Sequence, residues 1–214
     1  MKACILILFV LGIACFPTQL FAQRETNVQA LGFRFGSNFN RFYQPEKNTP
    51  LINGTFSTVV LGAFFKQYYT NGMFEIGANF VIKEPDGGLT FPVVMENFRQ
   101  DENTGLTAVE GQFMVGPRLW YFYPKFGFIA SYMVHRTGFY SNNEPELPLS
   151  QWNLSIPIGF SFEFPTSFGS TGFGGFYNVG LSRMIDDRSF EHGGRLRSWN
   201  VELHVAFRLG TQSR

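Results

Sequence analysis

Asp186, Asp187, Glu191 and His192 form the densest group of metal-ligating and proton-carrying side chains in the chain. Carboxylates beside an imidazole are a donor set for a divalent cation, or an acid–base pair able to polarise water. Arg188 interrupts the acids, and no nucleophile motif lies beside them. The group therefore reads as a solvated loop, as does Asp101-Glu102, and no metal site, cofactor or catalytic residue is expected. Cys4 and Cys15 both fall within the first 22 residues, so the rest of the chain holds neither a disulfide nor a thiol ligand. No phosphate-binding loop, dinucleotide fingerprint or cysteine metal spacing is present. The net charge of +1 supplies no basic stripe for nucleic acid. The expectation is a protein that is not an enzyme.

Other charges fall on the polar parity of alternating segments and are read as inward-facing. These are Arg34, Lys66, Glu75, Lys83, Glu110, Arg118, Glu163, Glu202 and Arg208, with His135 and His204. Side chains alternate faces along a strand, so this spacing asks for two-faced strands. The segment 198–209 shows it most clearly. Trp199, Val201, Leu203, Val205, Phe207 and Leu209 share one face, against Asn200, Glu202, His204 and Arg208 on the other. A helix would scatter these apolar residues around its surface.

The same alternation marks strands over 30–39, 55–67, 73–83, 106–122, 126–137, 151–164 and 172–182, eight in all. Pro157 is expected to produce a bulge in its strand. Tight turns are expected at Tyr69-Thr70-Asn71-Gly72 and Tyr123-Pro124-Lys125, and a moderate one over 165–171. Between them lie long loops over 40–54, 84–105, 138–150 and 186–197. Short turns at one rim and long loops at the other are the pattern of outer-membrane barrels.

Composition points the same way. Charged residues are 15% of the chain, aromatics 18%, with 27 Phe and 23 Gly, whereas soluble domains carry roughly 25% charged residues. Residues 1–22 read as a cleaved signal peptide: Lys2, an apolar run over 3–16, and a cut near Ala22-Gln23. Cys15 raises a lipoprotein alternative that its flanking residues do not favour. Residues 23–214 then form one domain, with no later apolar run long enough for a membrane helix.

The expected fold is all-β, an eight-stranded antiparallel transmembrane up-and-down β-barrel. Its polar parity is mostly Gly, Ser and Asn, which suits a narrow lumen, and its Phe-rich parity is too bulky for one. The apolar face therefore points to lipid, with Tyr68, Tyr69, Trp120, Tyr121, Tyr123, Trp152 and Trp199 expected in interfacial girdles. Arg34, Glu75, Glu110, Arg118, Glu163, Glu202 and Arg208 are expected to form a polar lumen network, with Glu75 and Arg118 pairing across neighbouring strands. A buried charge without a partner is costly.

Four stretches carry a family resemblance: Gly32-Phe33-Arg34-Phe35-Gly36-Ser37-Asn38-Phe39, Phe74-Glu75-Ile76-Gly77, Gly159-Phe160-Ser161-Phe162-Glu163 and Tyr177-Asn178-Val179-Gly180-Leu181. With them the chain after residue 22 resembles the PorT-like outer-membrane β-barrel proteins of Bacteroidetes. The resemblance implies an integral protein of the cell outer membrane, in contact with its lipid and inserted by the outer-membrane assembly machinery. It implies a structural or interaction role accessory to protein secretion or envelope assembly, with envelope or secretion proteins as partners of the long loops. Three alternatives stand beside it: an outer-membrane hydrolase or acyltransferase with a site at the loop rim, a narrow pore, and a soluble lipocalin-like ligand-binding barrel.

Overall fold

The computed structural model describes residues 28–44, 49–50, 56–83, 105–137, 150–184 and 194–210. The segment 1–22, the greater part of the four long loops and the group Asp186, Asp187, Glu191 and His192 lie outside the described residues. The strands are β1 (Val28–Gln44), β2 (Thr49–Pro50), β3 (Phe56–Tyr68), β4 (Gly72–Lys83), β5 (Gly105–Pro117), β6 (Phe122–Thr137), β7 (Trp152–Pro165), β8 (Gly169–Gly180) and β9 (Arg195–Leu209). The two-residue β2 lies against the end of β1. The other eight form an antiparallel wall in chain order, closed by pairing of β9 with β1. The eight-stranded antiparallel barrel expected from alternation is the fold.

Closure leaves no unpaired wall edge, the hazard that a lone two-faced strand would carry. From Gln29 the ladder steps through Gln67, Phe74, Val115, Phe126, Ile158, Tyr177 and Trp199, and returns to β1 at Phe39, ten residues further on. With ~3.3 Å per residue and ~4.8 Å between strands, that stagger tilts the strands by roughly 40°.

Three tight turns share one rim. Tyr69 N–H donates to the Gly72 carbonyl at 2.8 Å; Leu119 and Phe122 exchange bonds of 2.9 and 3.0 Å; Thr166 and Gly169 exchange bonds of 2.9 and 3.3 Å. The β5–β6 turn thus falls at 118–121 and not at Tyr123-Pro124-Lys125. Trp120 takes it with a positive φ of 60°, a conformation disfavoured for a bulky side chain. The earlier turn starts β6 at Phe122 and carries Tyr123 and Lys125 into the lumen.

Pro157 makes no bulge. Phe126 pairs with Ile158 and Ile129 with Ser155, so the β6–β7 register is the same on both sides of it; only local hydrogen bonding is lost. The bulge lies in β6 instead, where Thr107 pairs with His135 but Ala108 pairs with Met133. One extra residue reverses the facing of the positions beyond it. His135 is consequently exposed on the outside, which corrects its expected inward position.

The wall has its apolar face out. Phe33, Ile76, Phe113, Phe128, Ile158, Leu203 and Phe207 are exposed, as are Trp152 and Trp199. The described carboxylates of Glu75, Glu110, Glu163 and Glu202 face in. Glycines let the lumen be filled this tightly. A Cβ on Gly32 would lie 2.6 Å from Phe64 Cε2, with the Val205 carbonyl also in the way. Gly32→Val is expected to abolish folding, because the Val205 carbonyl is strand backbone and the Phe64 ring is packed against Arg34, Lys66 and His204. Loss of the compact, heat-sensitive form on a gel checks this; a variant that folds as well as the parent contradicts it.

Candidate functional site: a closed charged lumen

An eight-stranded barrel has an interior just wide enough for side chains to fill. Here the filling is layered. At the short-turn rim Ala30, Phe64, Tyr68, Met73, Tyr123 and Ala206 form a buried cluster. At the long-loop rim Phe42, Val60, Val81, Leu106, Ala108, Met133, Met184 and Leu196 form another. The polar residues lie between these two apolar caps.

The charged layer comes from six strands. Arg34 on β1 donates from Nη2 to Glu75 Oε1 at 2.5 Å and from Nη1 to Glu202 Oε2 at 3.4 Å. Lys66 on β3 and Lys125 on β6 each bridge Glu75 and Glu163. Lys66 Nζ lies 3.4 Å from Glu75 Oε2 and 2.8 Å from Glu163 Oε1; for Lys125 the distances are 3.1 and 3.4 Å. Tyr68 Oη donates to Glu163 Oε2 at 2.6 Å, and Ser161 Oγ to Glu163 Oε1 at 3.2 Å. Three cations therefore meet three carboxylates, all buried. The ring of Phe64 closes one side, 4.8 Å from the Arg34 guanidinium carbon and 4.4 Å from Lys66 Nζ.

His204 completes this layer. It is buried edge-on to Phe64, with Nε2 3.7 Å from Glu163 and Nδ1 3.9 Å from Glu202. Those distances are too long for hydrogen bonds. Neutral imidazole preserves the match of three cations and three carboxylates.

Amides and hydroxyls occupy the next levels. Asn79 Nδ2 donates to Gln112 Oε1 at 3.0 Å, Ser131 Oγ to Glu110 Oε1 at 2.9 Å, and Asn178 Nδ2 to Ser198 Oγ at 2.9 Å. Asn200 Nδ2 donates to Asn38 Oδ1 at 2.5 Å, and Asn40 Nδ2 to Thr58 Oγ1 at 3.2 Å.

Of the expected network, the barrel brings Arg34, Glu75, Glu163 and Glu202 together. Glu110 is inward but bonded to Ser131, one layer away. Arg118 does not pair with Glu75: the register places Met114 opposite Glu75, and Arg118 lies beyond the Gly72–Pro117 end of the ladder. Its side chain is half-buried at the β5–β6 turn. Arg208 is exposed at the short-turn rim. The Lys83 side chain is outside the described residues.

Lys125 is the member that sequence reasoning misses, because Tyr123-Pro124-Lys125 has the composition of a turn. Extending the outward parity of Phe126 and Phe128 back by one residue is the signal that finds it. Tyr68 and Tyr123 likewise face the lumen and are not girdle residues. Tyr69, Trp120, Tyr121, Trp152 and Trp199 are exposed, as a girdle requires.

Among the described residues this interior matches charges to one another, closing the lumen and tying six strands of the wall together.

No family model and no curated protein matches the chain. Two solved structures are similar to it, both of Ail, the attachment invasion locus protein of Yersinia pestis. One is a complex with the heparin analogue sucrose octasulfate, at 11% identity and a TM-score of 0.42. The other is Ail by itself, at 11% identity and a TM-score of 0.37; each comparison covers 86% of this chain and 100% of that chain.

Proposed function

We propose that the protein is an integral outer-membrane β-barrel whose lumen is a closed structural core and whose role is interaction through its long loops. The observation that carries this reading is the inversion of an ordinary core: ion pairs inside, Phe, Leu, Ile and Trp outside. A soluble ligand-binding barrel needs the reverse, an apolar cavity under a solvated wall. A continuous exposed apolar band requires lipid or a partner to cover it. The membrane-spanning band is strand-built, and the resemblance to PorT-like barrels supports the finer reading, an accessory of protein secretion or envelope assembly. The loops rise from one rim of a rigid wall, the usual place for partner recognition. No enzymatic step is assigned.

Two measurements test this. Protein extracted from outer membranes is expected to run faster on a gel unheated than boiled, since a folded barrel binds less detergent. A soluble periplasmic protein without that shift overturns the membrane reading. Reconstituted wild-type protein is expected to show no single-channel steps, because apolar caps and ion pairs fill the lumen at successive levels; large steps overturn the closed-core reading.

A further inference from the structure

At the long-loop rim the outward face of β1 and β9 changes character within one rung. Phe39, Trp199 and Tyr177 lie in register across β1, β9 and β8. The Tyr177 and Trp199 rings are 4.8 Å apart. In the next outward rung Arg41 stands directly opposite Arg197, and in the one after it Tyr43 stands opposite Arg195. Three arginines thus occupy one small patch immediately above an aromatic rung.

Like charges directly opposed on a sheet face repel. Among the described residues none of the three arginines takes part in an ion pair, and all four described carboxylates face the lumen. Arg195 Nε is buried without a hydrogen-bond partner. The Arg197 guanidinium lies over the Tyr43 ring, its carbon 3.6 Å from the centroid. A ring contact uses up none of the guanidinium N–H donors in a hydrogen bond, and their fork suits bidentate capture of a phosphate.

We infer that Arg41, Arg195 and Arg197 form a binding site for the phosphate of a lipid headgroup in the leaflet at the long-loop end. The inference rests on the membrane-barrel reading. Aromatic side chains prefer the headgroup level, so a rung of arginines just above them meets the headgroups and not the acyl chains. The anion answers the cross-strand repulsion, and its acyl chains lie along the apolar wall below Trp199.

The test uses the full chain folded in detergent micelles, with phosphatidic acid as probe and diacylglycerol bearing the same acyl chains as its phosphate-free control. Native mass spectrometry reads the lipid retained. The wild type is expected to keep phosphatidic acid and release diacylglycerol. The triple variant R41Q/R195Q/R197Q is expected to lose about a hundredfold in retention, and R41Q or R197Q alone about fivefold. R208Q, which removes an exposed arginine at the opposite, short-turn rim, is expected to retain it. The single variants decide the matter should the triple variant fail to fold.

Unchanged binding in the patch variants, or equal loss in R208Q, overturns the site. Displacement by millimolar inorganic phosphate shows that the patch reads a free anion and overturns the lipid assignment. A folded, heat-modifiable barrel that fails these assays sinks this inference alone, whereas absence of the heat-modifiable form sinks the membrane reading beneath it.

Discussion

Glu75→Ala is expected to destabilise the barrel by about 3–5 kcal/mol, the cost of leaving buried charge uncompensated. Glu75 is the shared partner of Arg34, Lys66 and Lys125, and all three cations are buried inside the wall. Removing it leaves three positive charges facing only Glu163 and Glu202. Glu75→Gln keeps the shape and two polar atoms but not the charge, so it should fall between the parent and alanine. The double variant Glu75→Gln with Lys125→Met should recover part of the loss, because it removes both partners of a pair. Urea unfolding followed by the heat-modifiable band reads all three. A midpoint for Glu75→Ala that equals the parent's would mean the charged layer does not hold the wall. The same variant is expected to show small conductance steps where the parent shows none.

Leu203→Arg tests the other face. Leu203 is exposed near the middle of β9, between Phe35 on β1 and Phe173 on β8. In lipid, an outward arginine near the midplane costs about 2–4 kcal/mol, falling to about 0–1 near the interfaces. Trp120→Arg, at the short-turn rim, should therefore be far milder. The contrast is measured as the folded fraction of each variant in vesicles across a urea series. Equal effects of the two would deny that a bilayer covers β9, since on a water-facing wall an arginine at position 203 is nearly neutral.

Much of this architecture is legible in the residues because a strand's period is two and a barrel has only two faces. Every pair such as Glu202–Leu203 declares which side is which. One short turn shows in Asn71-Gly72, and three of the long loops show in their prolines, Pro45, Pro85 and Pro145 among them. What alternation does not carry is the phase of a strand after an irregularity. The β6 bulge turns His135 outward, and the turn at 118–121 moves Lys125 inward. Both depend on how neighbouring strands meet, and neither has a local signal as strong as Asn-Gly.

Pairing inside the lumen is further from reach. Arg34 meets Glu75 only through the stagger of the closed wall, across 41 positions of sequence, and Lys66 meets Glu163 across 97. By itself the sequence determined eight strands, an apolar outside and a charged inside, because side-chain alternation is local and each parity has a single chemistry. Which carboxylate holds which cation, where the apolar caps close the lumen, and how Arg41 comes to stand against Arg197 were decided by the tertiary structure. Closure and ten-residue stagger set the level of every inward and outward side chain, and no segment contains that information alone.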